Sequence, residues 1–163
     1  LDQIIKILPY LDENIIFLVM GKDAGDLSRL KKLITKLNIN NRVIFTGEIS
    51  DNDVLAALRI SKIFVMPSQW EAFGISMLQA MAQGNAIIST KTEGGKFLIK
   101  ERENGFLFNY GNLDELRQKL NLLIKNDKLR NKISKINVEK AKQFLWINIV
   151  KDLEKLYISL LNK

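Results

Sequence analysis

A chain of 163 residues that is 47% hydrophobic, with both charge signs interspersed, has the size and composition of one globular domain with a substantial core, and not of a disordered segment. It contains no cysteine, which excludes disulfides and thiolate metal centres, and no histidine, which removes the commonest general base and metal ligand. Carboxylates remain for magnesium, but no Asp cluster is arranged for it, and no apolar stretch approaches the ~20 residues of a membrane span.

In chain order, helix and strand alternate. Asp2 to Leu8 has the periodicity of a short amphipathic helix that Pro9 helps to end, which is not a signal-peptide pattern. Ile15 to Met20 is wholly apolar and is predicted as a buried strand ending at Gly21. Asp26 to Leu37 is predicted as a helix with Asp26 as its N-cap, Arg42 to Phe45 as a strand closed by Thr46-Gly47, and Asp51 to Ile60 as a helix capped by Ser50 or Asp51. Lys62 to Met66 is the next buried strand. Pro67 ends it, having no backbone donor to continue a ladder. A helix from about Gly74 to Gln83 follows, with Ile75, Leu78 and Met81 or Ala82 on its apolar face. Ala86 to Ser89 is a short strand, Gly95 to Ile99 a turn of helix, and Asn104-Gly105 leads into the strand Phe106 to Phe108. Three helices finish the chain, Leu113 to Lys125, Asp127 to Phe144 and Ile147 to Leu161.

Short apolar strands alternating with helices imply right-handed βαβ units and a parallel sheet covered on both faces. The expected fold class is therefore α/β, a doubly wound, Rossmann-like parallel sheet with C-terminal helices, forming one domain over residues 1–163. Such a domain should open with a strand, whereas this chain opens at a helix, so the first strand is expected in polypeptide outside the sequence. The net charge of +7 owes much to the lysine-rich C-terminal third. It is read first as a solvated helix face, with attraction to an anionic membrane surface or phosphorylated ligands as the alternative. Nucleic acid is disfavoured, because no aromatics are interleaved with the basic residues as stacking platforms.

The most informative stretch is Pro67 to Gly84, PSQWEAFGISMLQAMAQG. A strand end, a loop carrying Glu71, and a helix opening at Gly74 are the parts of a site for an anionic ligand. The free N–H groups and positive end of a helix suit phosphate, and glycine permits close approach. Ligands in such sheets bind beyond the carboxyl ends of the strands, so Gly21, Gly47 and the Pro67–Gly74 loop should line one rim. Trp70 and Phe73 are read as packing residues in preference to sugar-stacking platforms. The loop Gly21-Lys22-Asp23-Ala24-Gly25 lacks the spacing of a dinucleotide fingerprint. Glu93-Gly94-Gly95 is either a plain loop or a place where backbone approaches a ligand.

Glu71-Ala72-Phe73-Gly74-Ile75 followed by Ala80-Met81-Ala82-Gln83-Gly84-Asn85-Ala86-Ile87-Ile88 resembles the donor-binding half of glycosyltransferase family 4, retaining enzymes of GT-B fold. Val19-Met20-Gly21, Arg42 to Gly47, Ser61 to Ser68, Glu93-Gly94-Gly95, Asn104 to Leu107, Phe144-Leu145-Trp146 and Leu156-Tyr157 resemble other positions of the same pattern, in order. The resemblance spans essentially the whole chain. It implies that Glu71 hydrogen-bonds donor-sugar hydroxyls near the reacting centre and that Phe73, Gly74 and Ile75 turn backbone N–H groups to sugar and diphosphate. Gln79 stands where the family holds the ribose, and Gly21, Lys22, Glu48 and Ile49 where it lines the nucleotide pocket.

The implied reaction is front-face transfer with retention from a UDP-, GDP- or ADP-sugar, without metal or other cofactor, in the cytoplasm or peripherally on the inner face of the membrane. Two departures qualify it. Gln79 replaces the family's second glutamate, forgoing charge-assisted bonds worth ~1–2 kcal/mol. The family's diphosphate-clamping arginine and lysine, and its N-terminal acceptor domain, fall ahead of Leu1, so this chain alone is expected to be inactive. The alternatives are a degenerate, non-catalytic interaction domain and an epimerase-type GT-B domain. A dehydrogenase is disfavoured by the missing fingerprint.

Overall fold

A computed structural model describes residues 1–161. Helix α1 (Asp2–Ile7) runs into a 3-10 turn at Leu8–Tyr10 that contains Pro9. There follow β1 (Phe17–Val19), α2 (Leu27–Lys36), β2 (Val43–Phe45), α3 (Asp51–Ile60), β3 (Ile63–Met66), α4 (Ile75–Ala82), β4 (Ala86–Thr90), α5 (Glu93–Leu98), β5 (Gly105–Phe108), α6 (Leu113–Lys125), α7 (Asp127–Lys142) and α8 (Trp146–Leu161). Every predicted element is present. All pairings are parallel, in the order β2-β1 and β3-β4-β5.

Polar caps delimit the helices. Ser50 accepts from the Asp53 N–H, Thr92 from Gly95, Asn112 from Glu115, and Asn126 from Leu129 at 2.9 Å. One cap differs from expectation. Asp26 caps nothing and pairs instead with Arg29 at 2.6 Å, while Asp23 Oδ1 accepts from the N–H groups of Gly25, Asp26 and Leu27. A carboxylate four residues before the first helical residue reaches the same free donors once Gly25 turns the chain back.

The strands alternate between two apolar layers. Ala86, Ile88, Phe106 and Phe108 face α1, α2 and α6, whereas Ile87 and Leu107 face α3, α4 and α5. Strands β4 and β5 are buried throughout, but β1 and β3 are only half-buried, with Ile16 exposed beside β1. The prediction that β1 and β3 are buried strands is corrected, since both are only half-buried. The strands form two sheets, and the flanks of β1 and β3 that face each other make no ladder. In α4 the buried face is Met77, Ala80 and Met81 and not the one led by Ile75, which is 69% exposed.

Three buried asparagines tie the second layer together. Asn137 donates to the Asn85 carbonyl at 2.8 Å and accepts from Asn104 at 3.0 Å. Asn85 in turn donates to the carbonyls of Leu58 and Ser61. Replacing Asn137 by Ala strands a buried carbonyl and one Asn104 N–H and leaves a void, so Asn137→Ala should cost ~2–4 kcal/mol. Urea denaturation is expected to show a lowered midpoint at unchanged m-value.

Candidate functional site

Because the strands are parallel, their carboxyl ends share one rim, and the loops that follow them carry the candidate residues. The loop Pro67–Gly74 is fastened from three sides. Thr90 Oγ1, at the end of β4, donates to the Ser68 carbonyl at 2.6 Å. The Gly94 N–H donates to the Glu71 carbonyl at 2.9 Å, and Gln3 Nε2 donates to the Pro67 carbonyl at 3.3 Å. Gln3 is itself buried and accepts from the Gly111 N–H at 2.8 Å.

Two glycines are required by this geometry. Gly74 has φ +92° and precedes α4 without a side-chain cap, and a Cβ there would sit 2.8 Å from Met77 Cε. A Cβ on Gly94 would lie 2.4 Å from the Phe73 carbonyl oxygen. The run Glu93-Gly94-Gly95 opens α5, and its first glycine, Gly94, serves close packing of that helix against the Glu71 loop. The Glu71 carboxylate accepts from the Phe73 N–H at 3.3 Å and forms no ion pair among the described residues. Its remaining acceptor capacity is open to a ligand.

The amino end of α4 follows directly. The Leu78 N–H reaches the Gly74 carbonyl, so the N–H groups of Ile75 and Ser76 in the preceding turn have no intrahelical partner, and the first turn of the helix itself holds no acidic residue. Gln79 is exposed one turn further along. Phe73 packs edge-on or tilted against Phe97 and Phe144, with ring centroids at 5.7 Å to each. That agrees with its reading as a packing residue. Trp70 does not: it is 86% exposed on the rim.

A cavity of about 990 Å³ opens at this rim between β1 and β3. Gly21, Lys22, Glu48 and Ile49 line it, together with Ser68 and Ser76. The structure thus brings four of the predicted residues together around one opening, while Glu71, Phe73, Gly74, Ile75 and Gln79 lie on the adjoining loop and helix. Lys22 and Glu48 are exposed and in no ion pair among the described residues. Sequence reasoning missed Thr90 and Gln3. A threonine closing an apolar strand is a usable signal, but Gln3 gave none, because its partners are 64 and 108 residues away. Among the described residues no group of three His, Cys, Asp or Glu side chains is placed to hold a metal ion, and no helix is long and apolar enough to cross a membrane.

Comparison with known proteins agrees with this picture. The family described as Glycosyl transferases group 1 matches residues 1–140. An uncharacterized glycosyltransferase of Methanocaldococcus jannaschii is 34% identical over 159 residues, covering 93% of this chain and 39% of that protein. Among solved structures, the Anabaena protein HepE in complex with UDP and glucose superposes with a TM-score of 0.86 at 23% identity, covering 99% of this chain and 44% of that one. The C-terminal domain of a glycosyl transferase group 1 family protein from Francisella tularensis does so with a TM-score of 0.78 at 27% identity, over 88% and 75%. The chain therefore spans about two fifths of the length of the first of these relatives. With a family match over most of its length and the two-layered parallel fold of GT-B enzymes, this chain belongs to the group 1 glycosyltransferases.

Proposed function

We propose that the chain is the donor-binding domain of a retaining, family 4 glycosyltransferase that moves a sugar from a nucleotide-sugar to a glycan, lipid or protein-linked acceptor. The observation that carries this reading is the uncapped amino end of α4 beside the free carboxylate of Glu71, next to a cavity lined by Gly21, Lys22, Glu48 and Ile49. The HepE complex, a relative of the same fold with UDP and glucose bound, supports it.

In this reading the diphosphate rests against the N–H groups of Ile75 and Ser76, where dipole and free donors favour negative charge. Glu71 accepts from sugar hydroxyls, Gln79 holds the ribose, and Lys22 and Glu48 flank the nucleoside. The bond from the anomeric carbon to the phosphate oxygen breaks as the acceptor oxygen bonds to the same face, and the acceptor proton passes to the leaving phosphate. The protein contributes positioning and stabilisation of the charge that builds on that phosphate, and no metal takes part. The acceptor site and the cationic clamp on the diphosphate belong to polypeptide outside this chain, so the chain alone binds donor weakly and transfers nothing. Peripheral attachment of the whole protein to an anionic cytoplasmic membrane face completes the reading. It is supported by the exposed lysines of α7 and the exposed apolar residues of α8, with Trp146 at 81%.

Titration of isotope-labelled chain with UDP-, GDP- and ADP-glucose, followed by NMR, tests the proposal. One nucleotide is expected to shift the amides of Gly21, Lys22, Glu48 and Phe73 to Ser76 with a Kd on the order of millimolar, unchanged by EDTA. If none of the three perturbs these amides, the donor-binding reading fails.

Substitutions sharpen the assignment. Glu71→Ala should abolish the difference between UDP-glucose and UDP, since only the sugar contact is lost. Gln79→Glu should tighten binding of the nucleoside diphosphate by up to about tenfold by restoring charge-assisted bonds to the ribose diol.

Gly94→Ala forces the Phe73 carbonyl to move. It is expected to cost ~1–3 kcal/mol of stability and to erase the ligand-induced shifts at Phe73 to Ser76 while sparing those at Gly21 and Lys22.

A further inference from the structure

Large aromatic side chains gain the most from burial, yet Trp70 is 86% exposed on the rim. Two other exposed rings have partners: Phe97 packs on Phe73 and Phe144, and Arg117 lies over Tyr10. Trp70 forms no aromatic or cation–π pair among the described residues. Its backbone cannot readily fold the ring away. The Ser68 carbonyl, two residues before it, accepts from Thr90 at 2.6 Å, and the Glu71 carbonyl, one residue after it, accepts from Gly94 at 2.9 Å. A bare indole on backbone pinned at both sides is a surface held out for a partner, with little ordering left for binding to cost.

Its place on the rim narrows what that partner is. Glu71 accepts from the Phe73 N–H, and a Cβ on Gly74 would sit 3.6 Å from Glu71 Cγ, so the carboxylate side chain lies over the start of α4. Ser68 and Ser76 line the cavity, and among the described residues Trp70 does not. The ring therefore stands outside the donor cavity, one residue and ~3.8 Å of backbone from the residue that faces the reacting sugar. A molecule that meets the donor there comes over the rim from solvent.

The surroundings of the ring select its chemistry. A fatty-acyl chain or an apolar protein face calls for a contiguous apolar patch, whereas the loop residues flanking Trp70 are Ser68, Gln69, Glu71 and Ala72, polar or small. A pyranose fits such a place. Its C–H face suits the negative face of the indole, and its hydroxyl rim suits the exposed Gln69 amide, which both donates and accepts. We propose that Trp70 is a stacking platform for the acceptor and that the acceptor presents a sugar ring to it. The proposal rests on the donor-binding reading above. Most of the acceptor site lies in polypeptide outside this chain, and Trp70 is the contact that this chain adds to it.

NMR of the isotope-labelled chain tests it, with the nucleotide-sugar it prefers held at saturation so that the donor-sugar position is filled. The ring probes are the methyl α- and β-pyranosides of glucose and galactose. Sorbitol supplies hydroxyls without a ring face, and the exposed indole of Trp146 is the internal control. A glycoside is expected to shift the Trp70 indole N–H with a Kd on the order of 10 mM, several times further than that of Trp146, and sorbitol is not. Trp70→Ala should weaken the glycoside-induced shifts at the Glu71 and Ala72 amides about fivefold, and Trp70→Phe, which keeps a ring face, about twofold. Both variants should leave the nucleotide-induced shifts at Gly21 and Lys22 in place. No response at Trp70 to any of the four glycosides, equal shifts of the two indoles, or equal action of sorbitol would overturn the proposal while the nucleotide shifts, and the donor-binding reading with them, still stand. A Trp70 indole that distinguishes nucleotide-sugar from nucleoside diphosphate but ignores every glycoside would also overturn it, since the stacked ring would then be the donor's own. A dimer mass by light scattering that Trp70→Ala abolishes would overturn it in favour of contact between two copies of the chain. Absence of any nucleotide shift would remove the donor-binding reading and this proposal together.

Discussion

Parallel pairing is the constraint from which the rest of the structure follows. Strands that all run one way cannot be joined by hairpins, so each connection crosses back through a helix, and every carboxyl end falls on one rim. The helices lie on both faces because the crossovers put them there. Each strand must therefore be apolar on both sides, as the alternation of Ile87 and Leu107 with Ile88 and Phe106 between the two cores shows. The rim collects loops that carry no core, which is why Gly21, Glu48 and Ser68 meet there from strand ends far apart in sequence.

Loops gathered on a rim are useful only if they are stiff, and the stiffness here is backbone-borne. The Glu71 loop is held by bonds to its carbonyls from Thr90, Gly94 and Gln3, which leaves the Glu71 carboxylate and the first N–H groups of α4 unconsumed. The packing that supports these bonds is tight enough to forbid a methyl group at Gly94. The Phe73, Phe97 and Phe144 rings close the outer side, joining the loop to α5 and the start of the last helical segment. The unconsumed groups are thus displayed by a frame whose own hydrogen bonds are already satisfied, an arrangement that lowers the ordering cost of any binding.

What was legible in the sequence was whatever is encoded locally. Ser50 marks a helix start because its side chain reaches a donor three residues on, and Pro67 marks a strand end because it lacks a donor. The Asp23 cap was not legible, because it depends on a turn at Gly25 that brings a more distant carboxylate to the same donors. The exposure of Ile75 and Trp70 was hidden for a related reason. Hydrophobicity states what would gain from burial, but whether a partner surface exists at the rim is a tertiary fact. The site's order of residues was readable as a family pattern, while its supports, Gln3 and Thr90, were not, since their partners lie more than twenty residues away.

The cavity between β1 and β3 has two different walls. At its rim end the lining is polar, with Lys22, Glu48, Ser68 and Ser76; below, it is aliphatic, with Leu18, Ile63 and Val65. A volume of about 990 Å³ sits at the upper end of what small-ligand pockets occupy, roughly 300–1,000 Å³. The polar end lies at the carboxyl ends of the strands, the side on which open α/β sheets bind their ligands. Strands that are apolar on both faces bring no polar side chains of their own to the opening. The loops that leave them must supply these groups, so the chemistry of the cavity is confined to its rim.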